Sequence, residues 1–247
     1  MFRFLVVILS FCTVSVVSAT EPDVKTIKNG LAQAFPGTEF DTLKVRPSQM
    51  PGLLEAEMGT TVFYVTPDGK FVLMGDMIDT QSRSNLSEKR RRTLTAKLLE
   101  SIPEKNMIVI GPQNARRTLT VFTDVDCVYC RRMQTEDVPE LNKNGVKVRY
   151  LLFPRTAPGS ESYNRSISVW CASDRVKAVG DAMAGKEIAT KTCTNPIADN
   201  LEMAEHLGVS GTPAIFFEDG RRLPGYTPAR QVLTLLGLKE GASPKLP

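Results

Sequence analysis

The chain has 247 residues, of which 42% are apolar and 23% are charged. This composition is that of a globular protein and excludes a chain that is disordered throughout, and the length allows one large domain or two smaller ones. The formal net charge of +4 is too small to indicate nucleic-acid binding, so no nucleic-acid partner is expected.

Residues 1–19 have the pattern of a secretory signal peptide. A basic Arg3 precedes an apolar run, and small residues follow that run. Polar residues interrupt the run, which is shorter than the roughly 20 apolar residues of a membrane-spanning helix. We therefore expect cleavage near Ala19-Thr20, rather than retention of a membrane anchor, and loss of Cys12 with the leader.

Four cysteines remain after that cleavage: Cys127, Cys130, Cys171 and Cys193. An even number in an exported protein predicts two pairs, because disulfides persist outside the reducing cytosol. The alternative is half of a zinc site, which needs two further ligands at suitable spacing. The other two cysteines are far from the Cys-x-x-Cys pair, and the single histidine, His206, is expected on a helix surface. No metal and no cofactor are therefore expected.

Residues 20–81 predict a small α+β module. Apolar residues recur at helical spacing over 23–35, and Pro36-Gly37 ends that helix. Four strand-like runs follow, at residues 40–45, 53–58, 61–66 and 70–74. A module of roughly 60 residues buries too little surface to be comfortably stable alone. We expect it to pack on a partner surface, for which a second copy is the economical candidate.

A linker helix is predicted over residues 82–103. Asn85 with Glu88 three positions later resembles a capping box, and Pro103 ends the helix. The basic run at 89–92 is of a kind that can contact nucleic acid or a membrane, but on a linker helix such a run is usually a solvated face. We expect the solvated face.

Residues 104–240 alternate strands and helices as an α/β domain does. Strands are predicted at 107–110, 118–123, 146–153, 214–217 and near Arg222, and helices at 131–142, 197–207 and 228–236. Trp170 is expected to pack in the core. Residues 241–247 are expected to form a flexible tail.

The motif Cys127-Val128-Tyr129-Cys130 follows a β-branched strand directly and opens a helix. A helix start presents unpaired N–H groups and a partial positive charge of about half a unit, which favour an anion. The pKa of a cysteine, roughly 8.5 when free, is lowered at such Cys-x-x-Cys sites. Cys127, nearer the helix end and more exposed, is expected to attack, and Cys130, one turn inward, to resolve the mixed disulfide.

A proline directly before a predicted strand, at Thr212-Pro213, is a second landmark. Alone it indicates a trans proline at an edge strand, because only about 5–6% of X-Pro bonds are cis in folded proteins. Together with the upstream strand, cysteine motif and helix, it favours the cis form.

With these motifs the sequence resembles thioredoxin-fold proteins, and more closely the DsbC/DsbG family of periplasmic disulfide isomerases, over nearly all of the mature chain. Further stretches in matching order are Val121–Asp124, Val148–Leu151, Phe153–Arg155, Trp170–Ala172, Met183–Lys186, Gly208–Ala214 and Pro224–Tyr226. The resemblance implies a mixed α/β (α+β) protein. Its parts would be a C-terminal thioredoxin-like domain with a helical insertion, the linker helix and a small cystatin-like N-terminal dimerisation domain.

The resemblance also implies roles for particular residues. Cys127 would be the nucleophile and Cys130 its redox partner, with Val128, Tyr129 and the cis peptide Thr212-Pro213 supporting them and Cys171–Cys193 as a structural disulfide. The partners it implies are a second copy of the chain, unfolded or misoxidised exported proteins as substrates, and a DsbD-like membrane reductase as electron donor in the periplasm.

The motif departs from the family's familiar pattern at two positions. Val128-Tyr129 replaces Gly-Tyr, and Arg131 stands where a histidine often follows the second cysteine. Both changes concern redox tuning, so the balance of isomerisation against oxidation stays open. The alternatives are a net oxidase or DsbG-like reductase, a holdase chaperone that uses the dimer cleft, and a structural module with a static Cys127–Cys130 disulfide.

Overall fold

The computed structural model describes residues 23–238. The signal peptide expected at residues 1–19 and the tail expected at 241–247 lie outside the described residues. Within the described range, no helix combines the length and the apolar character needed to cross a bilayer.

The N-terminal region is a helix packed on an antiparallel sheet, which confirms the predicted α+β class. Helix α1 (Val24–Ala34) begins at Asp23, whose carboxylate accepts hydrogen bonds from two backbone N–H groups of the first turn. The four-stranded sheet has the order β1-β2-β3-β4, with β1 (Lys44–Pro47), β2 (Leu54–Met58), β3 (Thr61–Val65) and β4 (Val72–Leu73). Buried Ile27 and Leu31 pack in the same apolar cluster as Phe63.

The first strand begins later than predicted. Residues 40–43 form a turn, in which Leu43 N–H bonds to the Phe40 carbonyl at 3.1 Å, and both side chains are buried in the cluster of this region. Phe40 and Leu43 fit the apolar pattern of a strand, which is why the sequence predicts one here. In the structure their side chains cover the core from a turn.

A short hairpin leads into the linker helix. Strands β5 (Ile78–Asp79) and β6 (Ser84–Asn85) pair with each other, and helix α2 (Leu86–Glu100) follows. The predicted cap is confirmed, because the Asn85 side chain accepts from Glu88 N–H at 2.8 Å. The Glu88 carboxylate itself accepts from Arg91 and Arg92.

The prediction that the basic run of α2 is a solvated face is wrong for Arg90 and Arg91. Arg90 Nε donates to Glu57 at 2.6 Å, and Glu55 and Glu57 on β2 are both buried. Arg91 bonds to Asp76 and Glu88. A buried carboxylate requires a paired cation, so these contacts hold α2 on the N-terminal sheet.

The C-terminal region is built on a mixed four-stranded sheet, as the α/β pattern predicted. Its strands β7 (Ile108–Ile110), β8 (Arg117–Thr123), β9 (Val146–Leu152) and β10 (Ala214–Phe217) have the order β10-β8-β9-β7. The central pair, β8 and β9, is parallel, and both outer strands run antiparallel to their neighbours. The strand predicted near Arg222 is reduced to an isolated bridge with Phe216.

Helices cover this sheet. They are α3 (Val128–Arg132), α4 (Val138–Lys143), α5 (Glu161–Trp170), α6 (Arg175–Met183), α7 (Ile197–His206) and α8 (Ala229–Leu235). The single helix predicted at 131–142 is interrupted by a π-helical turn, Met133–Asp137. Pro139, two residues after Asp137, lacks the backbone N–H that would bond to the carbonyl four residues earlier, which accounts for the irregular turn.

Helix α2 contacts both regions of the chain. Its buried Leu99 shares an apolar cluster with Phe122 and Phe216 of the C-terminal sheet. Gly220 lies so close that a Cβ there would be 2.0 Å from the Arg92 carbonyl oxygen. The helix is therefore packed on the domain that follows it as well as on the sheet that precedes it.

Candidate active site

The cysteine motif sits where strand β8 ends and helix α3 begins. Cys127 has extended backbone angles as the residue before α3, and its N–H bonds to the Asp124 carbonyl at 3.1 Å. The buried Asp124 carboxylate accepts from Asp126 N–H and from Arg155 Nε, both at 2.9 Å. This tight turn places the Cys127 sulfur above the N-terminus of α3.

The fold brings the Thr212-Pro213 peptide next to the cysteine motif. The Thr212-Pro213 peptide is cis and directly precedes β10, which pairs with β8. The Cys127 Sγ donates to the Thr212 carbonyl oxygen at 3.4 Å. Residues that are 85 positions apart in the chain thus form one site.

The surroundings of Cys127 favour its thiolate. Burial opposes ionisation, but the nearby Thr212 hydroxyl and the backbone N–H groups of Cys130 and Tyr129 favour it. The net effect lowers the pKa of Cys127 below that of a free cysteine. The Cys130 thiol supplies a further hydrogen bond in the same direction.

Cys130 is affected in the opposite direction. Burial raises its pKa to about 12, against smaller lowering effects of the Thr123 hydroxyl and the Asp124 backbone. Cys130 is 1% exposed and Cys127 4%, so the expected order of exposure holds by a narrow margin. The site therefore favours the thiolate at Cys127 and the protonated thiol at Cys130.

Two threonine hydroxyls at this site lack a partner. Thr123 Oγ1 and Thr212 Oγ1 are buried and make no hydrogen bond within residues 23–238. Each lowers the pKa of a neighbouring cysteine, Thr123 that of Cys130 and Thr212 that of Cys127, so each is a donor available to a thiolate. Thr123 was not among the site residues expected from the sequence. The feature that could have indicated it is a hydroxyl residue at the end of the predicted strand, next to the cysteine motif.

The residues between the cysteines are exposed. Val128 is 73% and Tyr129 57% exposed, so they present an apolar surface beside the buried sulfurs. The Tyr129 ring stacks on Tyr226 with 5.7 Å between ring centroids, and the Arg132 guanidinium lies over Tyr226 at 5.2 Å. Tyr226 comes from the loop before α8, and no role at the site was expected for it from the sequence.

The other predicted residues lie in the helical part of the domain. Cys171 and Cys193 form a disulfide that joins the end of α5 to the segment before α7. Trp170 is buried, with Arg175 over its ring, and His206 is exposed. Across the described residues, no group of three or more His, Cys, Asp or Glu side chains is arranged to hold a metal ion.

Comparisons with known proteins place both regions. The thioredoxin-like domain family matches residues 103–239, and the N-terminal domain family of disulfide bond isomerase proteins matches residues 18–88. The thiol:disulfide interchange protein DsbC of Escherichia coli is 35% identical over 192 residues, which cover 78% of this chain and 80% of that protein. The chain belongs to the DsbC family.

Other members agree. DsbC of Dickeya dadantii is 29% identical over 231 residues, which are 94% of both chains, and a probable DsbC of Bordetella pertussis is 32% identical over 85% of this chain and 73% of that protein. Among solved structures, a disulfide interchange protein from Neisseria gonorrhoeae matches with a TM-score of 0.49 and 26% identity, covering 55% of this chain and 96% of that one.

Membership in the DsbC family confirms the resemblance to the DsbC/DsbG family and the expected mixed α/β (α+β) fold class. The protein is a thiol–disulfide oxidoreductase with a thioredoxin-like C-terminal domain and a DsbC-type N-terminal domain.

Proposed function

We propose that the protein is a periplasmic disulfide isomerase in which the Cys127 thiolate attacks non-native disulfides of exported proteins. The opposite pKa shifts of the two cysteines carry this proposal, because they separate a nucleophile from a reserve thiol. The exposed Val128 and Tyr129 offer an apolar contact for an unfolded chain. The backbone at Thr212 can pair with an extended substrate peptide as an added strand.

The reaction begins when Cys127 Sγ bonds to one sulfur of the substrate disulfide. The substrate's sulfur–sulfur bond breaks, and its other sulfur leaves as a thiolate. In isomerisation, a substrate thiolate then attacks the mixed disulfide, forms the new substrate disulfide and releases Cys127 as a thiolate. In reduction, Cys130 loses its proton and attacks instead, which leaves a Cys127–Cys130 disulfide and a reduced substrate.

The high pKa of Cys130 favours the isomerase alternative. Burial keeps Cys130 mainly protonated, which slows its attack on the mixed disulfide. A long-lived mixed disulfide gives substrate thiols time to react. A DsbG-like reductase or a net oxidase remains the alternative on the same fold, and a measured reduction potential separates them.

The test is refolding of a scrambled multi-disulfide substrate in a glutathione buffer. Cys127→Ser should abolish the acceleration, because it removes the attacking sulfur. Cys130→Ser should keep isomerisation but accumulate mixed disulfides, because Cys130 can no longer attack the mixed disulfide and release the substrate. The control is Val176→Ala, on α6 outside the cysteine motif. Acceleration that survives Cys127→Ser contradicts the assignment.

The partners and organisation that we propose follow the family. Four exposed apolar residues lie at or near the edge strand β4 and on β5: Phe71, Leu73, Met74 and Ile78. An unpaired strand edge with such residues is suited to pairing with a second copy of the chain. We propose that the protein is a homodimer that associates through residues 20–81. Residues 82–103 would then be the linker helix and residues 104–240 the catalytic domain. A DsbD-like membrane reductase would keep the pair reduced.

A holdase chaperone activity is a second candidate. The same exposed apolar residues favour it, because a surface of this kind binds unfolded chains without any cysteine chemistry. Suppression of aggregation that persists when both Cys127 and Cys130 are changed to Ser would identify it.

A further inference from the structure

The loop that carries Tyr226 is anchored at both ends by hydrogen bonds that do not involve the two cysteines or the residues between them. Before it, Leu223 N–H bonds to the Ile215 carbonyl of β10 at 2.9 Å. After it, Ala229 N–H at the start of α8 bonds to Asp137 Oδ1 at 2.7 Å, inside the protein. The position of Tyr226 is therefore set by β10 and by the π-helical turn that holds Asp137.

From this loop, Tyr226 contacts the active-site helix at more than one point. Its ring stacks on Tyr129 at an interplanar angle of 29°, and Arg132 lies over the same ring. Burial first, and the nearby Asp137 carboxylate second, raise the pKa of the Tyr226 hydroxyl. Asp137 Oδ2 makes no hydrogen bond of regular geometry in the described part of the chain, so it is open to this hydroxyl.

Tyr129 links the Tyr226 ring to the surroundings of the Cys127 sulfur. Tyr129 lies in the first turn of α3, directly after the Cys127 cap, and its backbone N–H is one of the groups near the sulfur that favour the thiolate. The side chain of Tyr129 is 57% exposed, so few protein contacts restrain it apart from the stack. A stacked aromatic pair is favourable beyond its buried area, which makes it an effective restraint at an exposed position.

We propose that Tyr226 is a positioning residue for thiol exchange: its anchored ring holds Tyr129, and with it the first turn of α3, beneath the Cys127 sulfur. The proposal rests on the proposed role of Cys127 as the nucleophile. Tyr226 touches no reacting atom, and it acts through Tyr129. Loss of the ring leaves the reaction type unchanged and makes the thiolate less favourable.

The test is the pH dependence of iodoacetamide alkylation of the reduced full-length protein. Tyr226→Leu keeps bulk but removes the stack, so the titration midpoint of Cys127 should rise and the rate below that midpoint should fall by about twofold to tenfold, the equivalent of one aromatic pair. Tyr226→Phe keeps the ring and should restore the midpoint. Val176→Ala is the control.

A second readout follows from the same physics. Stabilising the thiolate stabilises the reduced protein, so Tyr226→Leu should move the equilibrium with glutathione towards the Cys127–Cys130 disulfide. A purely structural role for Tyr226 would lower the urea midpoint of unfolding and leave both redox readouts unchanged. If circular dichroism shows that the leucine variant is unfolded, Tyr226→Met takes its place.

The outcomes separate the two proposals. A wild-type titration like that of a free thiol contradicts both the role of Cys127 and the role of Tyr226. An acidic thiol in the wild type, with a superimposable titration in Tyr226→Leu, contradicts only the positioning role.

Discussion

Cys127 and Cys130 are three positions apart, yet their pKa values move in opposite directions. Both are buried, and burial alone raises the pKa of each. At Cys127 the nearby Thr212 hydroxyl and the backbone of α3 outweigh that effect, whereas at Cys130 burial prevails over the Thr123 hydroxyl and the Asp124 backbone. The division of labour between the two thiols thus comes from burial and nearby donors together.

Thr123→Val tests the donor side of Cys130. The change removes the hydroxyl that favours the Cys130 thiolate, so resolution of a mixed disulfide should slow by roughly fivefold, the equivalent of about 1 kcal/mol for one hydrogen bond. The measurement is the single-turnover reduction of a disulfide peptide.

Thr120→Val is the matched control for that experiment. Thr120 is buried on the same strand, but its hydroxyl accepts from Arg149 at 3.3 Å. An equal slowing in both variants would assign the effect to the strand rather than to the Thr123 hydroxyl.

At the scale of elements, features set by neighbouring residues could be predicted from the sequence, whereas features set by contacts between distant residues could not. The Asn85 cap and the end of α1 at Pro36-Gly37 are set by residues within a few positions, and both agree with the structure. The π-helical turn before Pro139 also has a local cause. It was not predicted, because the apolar periodicity over residues 131–142 indicates a helix without showing a short irregular turn inside it.

The pairing of Arg90 with the buried Glu57 could not be predicted in this way, because it joins residues 33 positions apart. Tyr226 was missed at the site for the same reason, because 97 positions separate it from Tyr129; Thr123 is close to the motif in the chain, but its role depends on where its side chain points. Their importance depends on which side chains the fold brings beside them, whereas the cysteine motif carries its own helix start.

Gly220→Ala tests the packing of α2 on the catalytic domain. Gly220 has a φ of +79°, and a Cβ there would meet the Arg92 carbonyl oxygen at 2.0 Å. The backbone of α2 would have to move, so we expect a loss of about 2–5 kcal/mol in unfolding free energy, the sum of backbone strain and overpacking. The measurement is urea denaturation.

Gly208→Ala is the comparison for Gly220→Ala. Gly208 also has a positive φ, +62°, but a Cβ there meets no atom within 4 Å. It should lose only the strain of about 1–2 kcal/mol. Equal losses at both positions would show that α2 does not restrain the Gly220 turn.

At the scale of the whole molecule, the proposed dimer depends on an apolar edge that one chain leaves uncovered. Leu73→Asp places a charge there. The residue is 49% exposed in the single chain, so the substitution should leave the fold intact while preventing association. The wild type should have twice the mass of one chain in light scattering, and the variant the mass of one.

Leu235→Asp, at 42% exposure on α8, is the control for charge alone and should remain dimeric. The monomeric Leu73→Asp variant should keep the alkylation profile of Cys127 and lose most of the isomerase activity. A wild type that is already monomeric would contradict the dimer and leave the thiol chemistry intact.

The shared helix α2 also constrains how the protein can be dissected. Leu99 covers an apolar cluster made by strands β8 and β10, while Arg90 neutralises carboxylates on β2. A recombinant fragment that starts at residue 104 would therefore uncover that cluster. An N-terminal fragment that stops at residue 81 would lose the 2.6 Å contact of Glu57 with Arg90 and keep the 3.3 Å contact with Arg46. We expect an excised piece from either side to be more stable with its own copy of this helix.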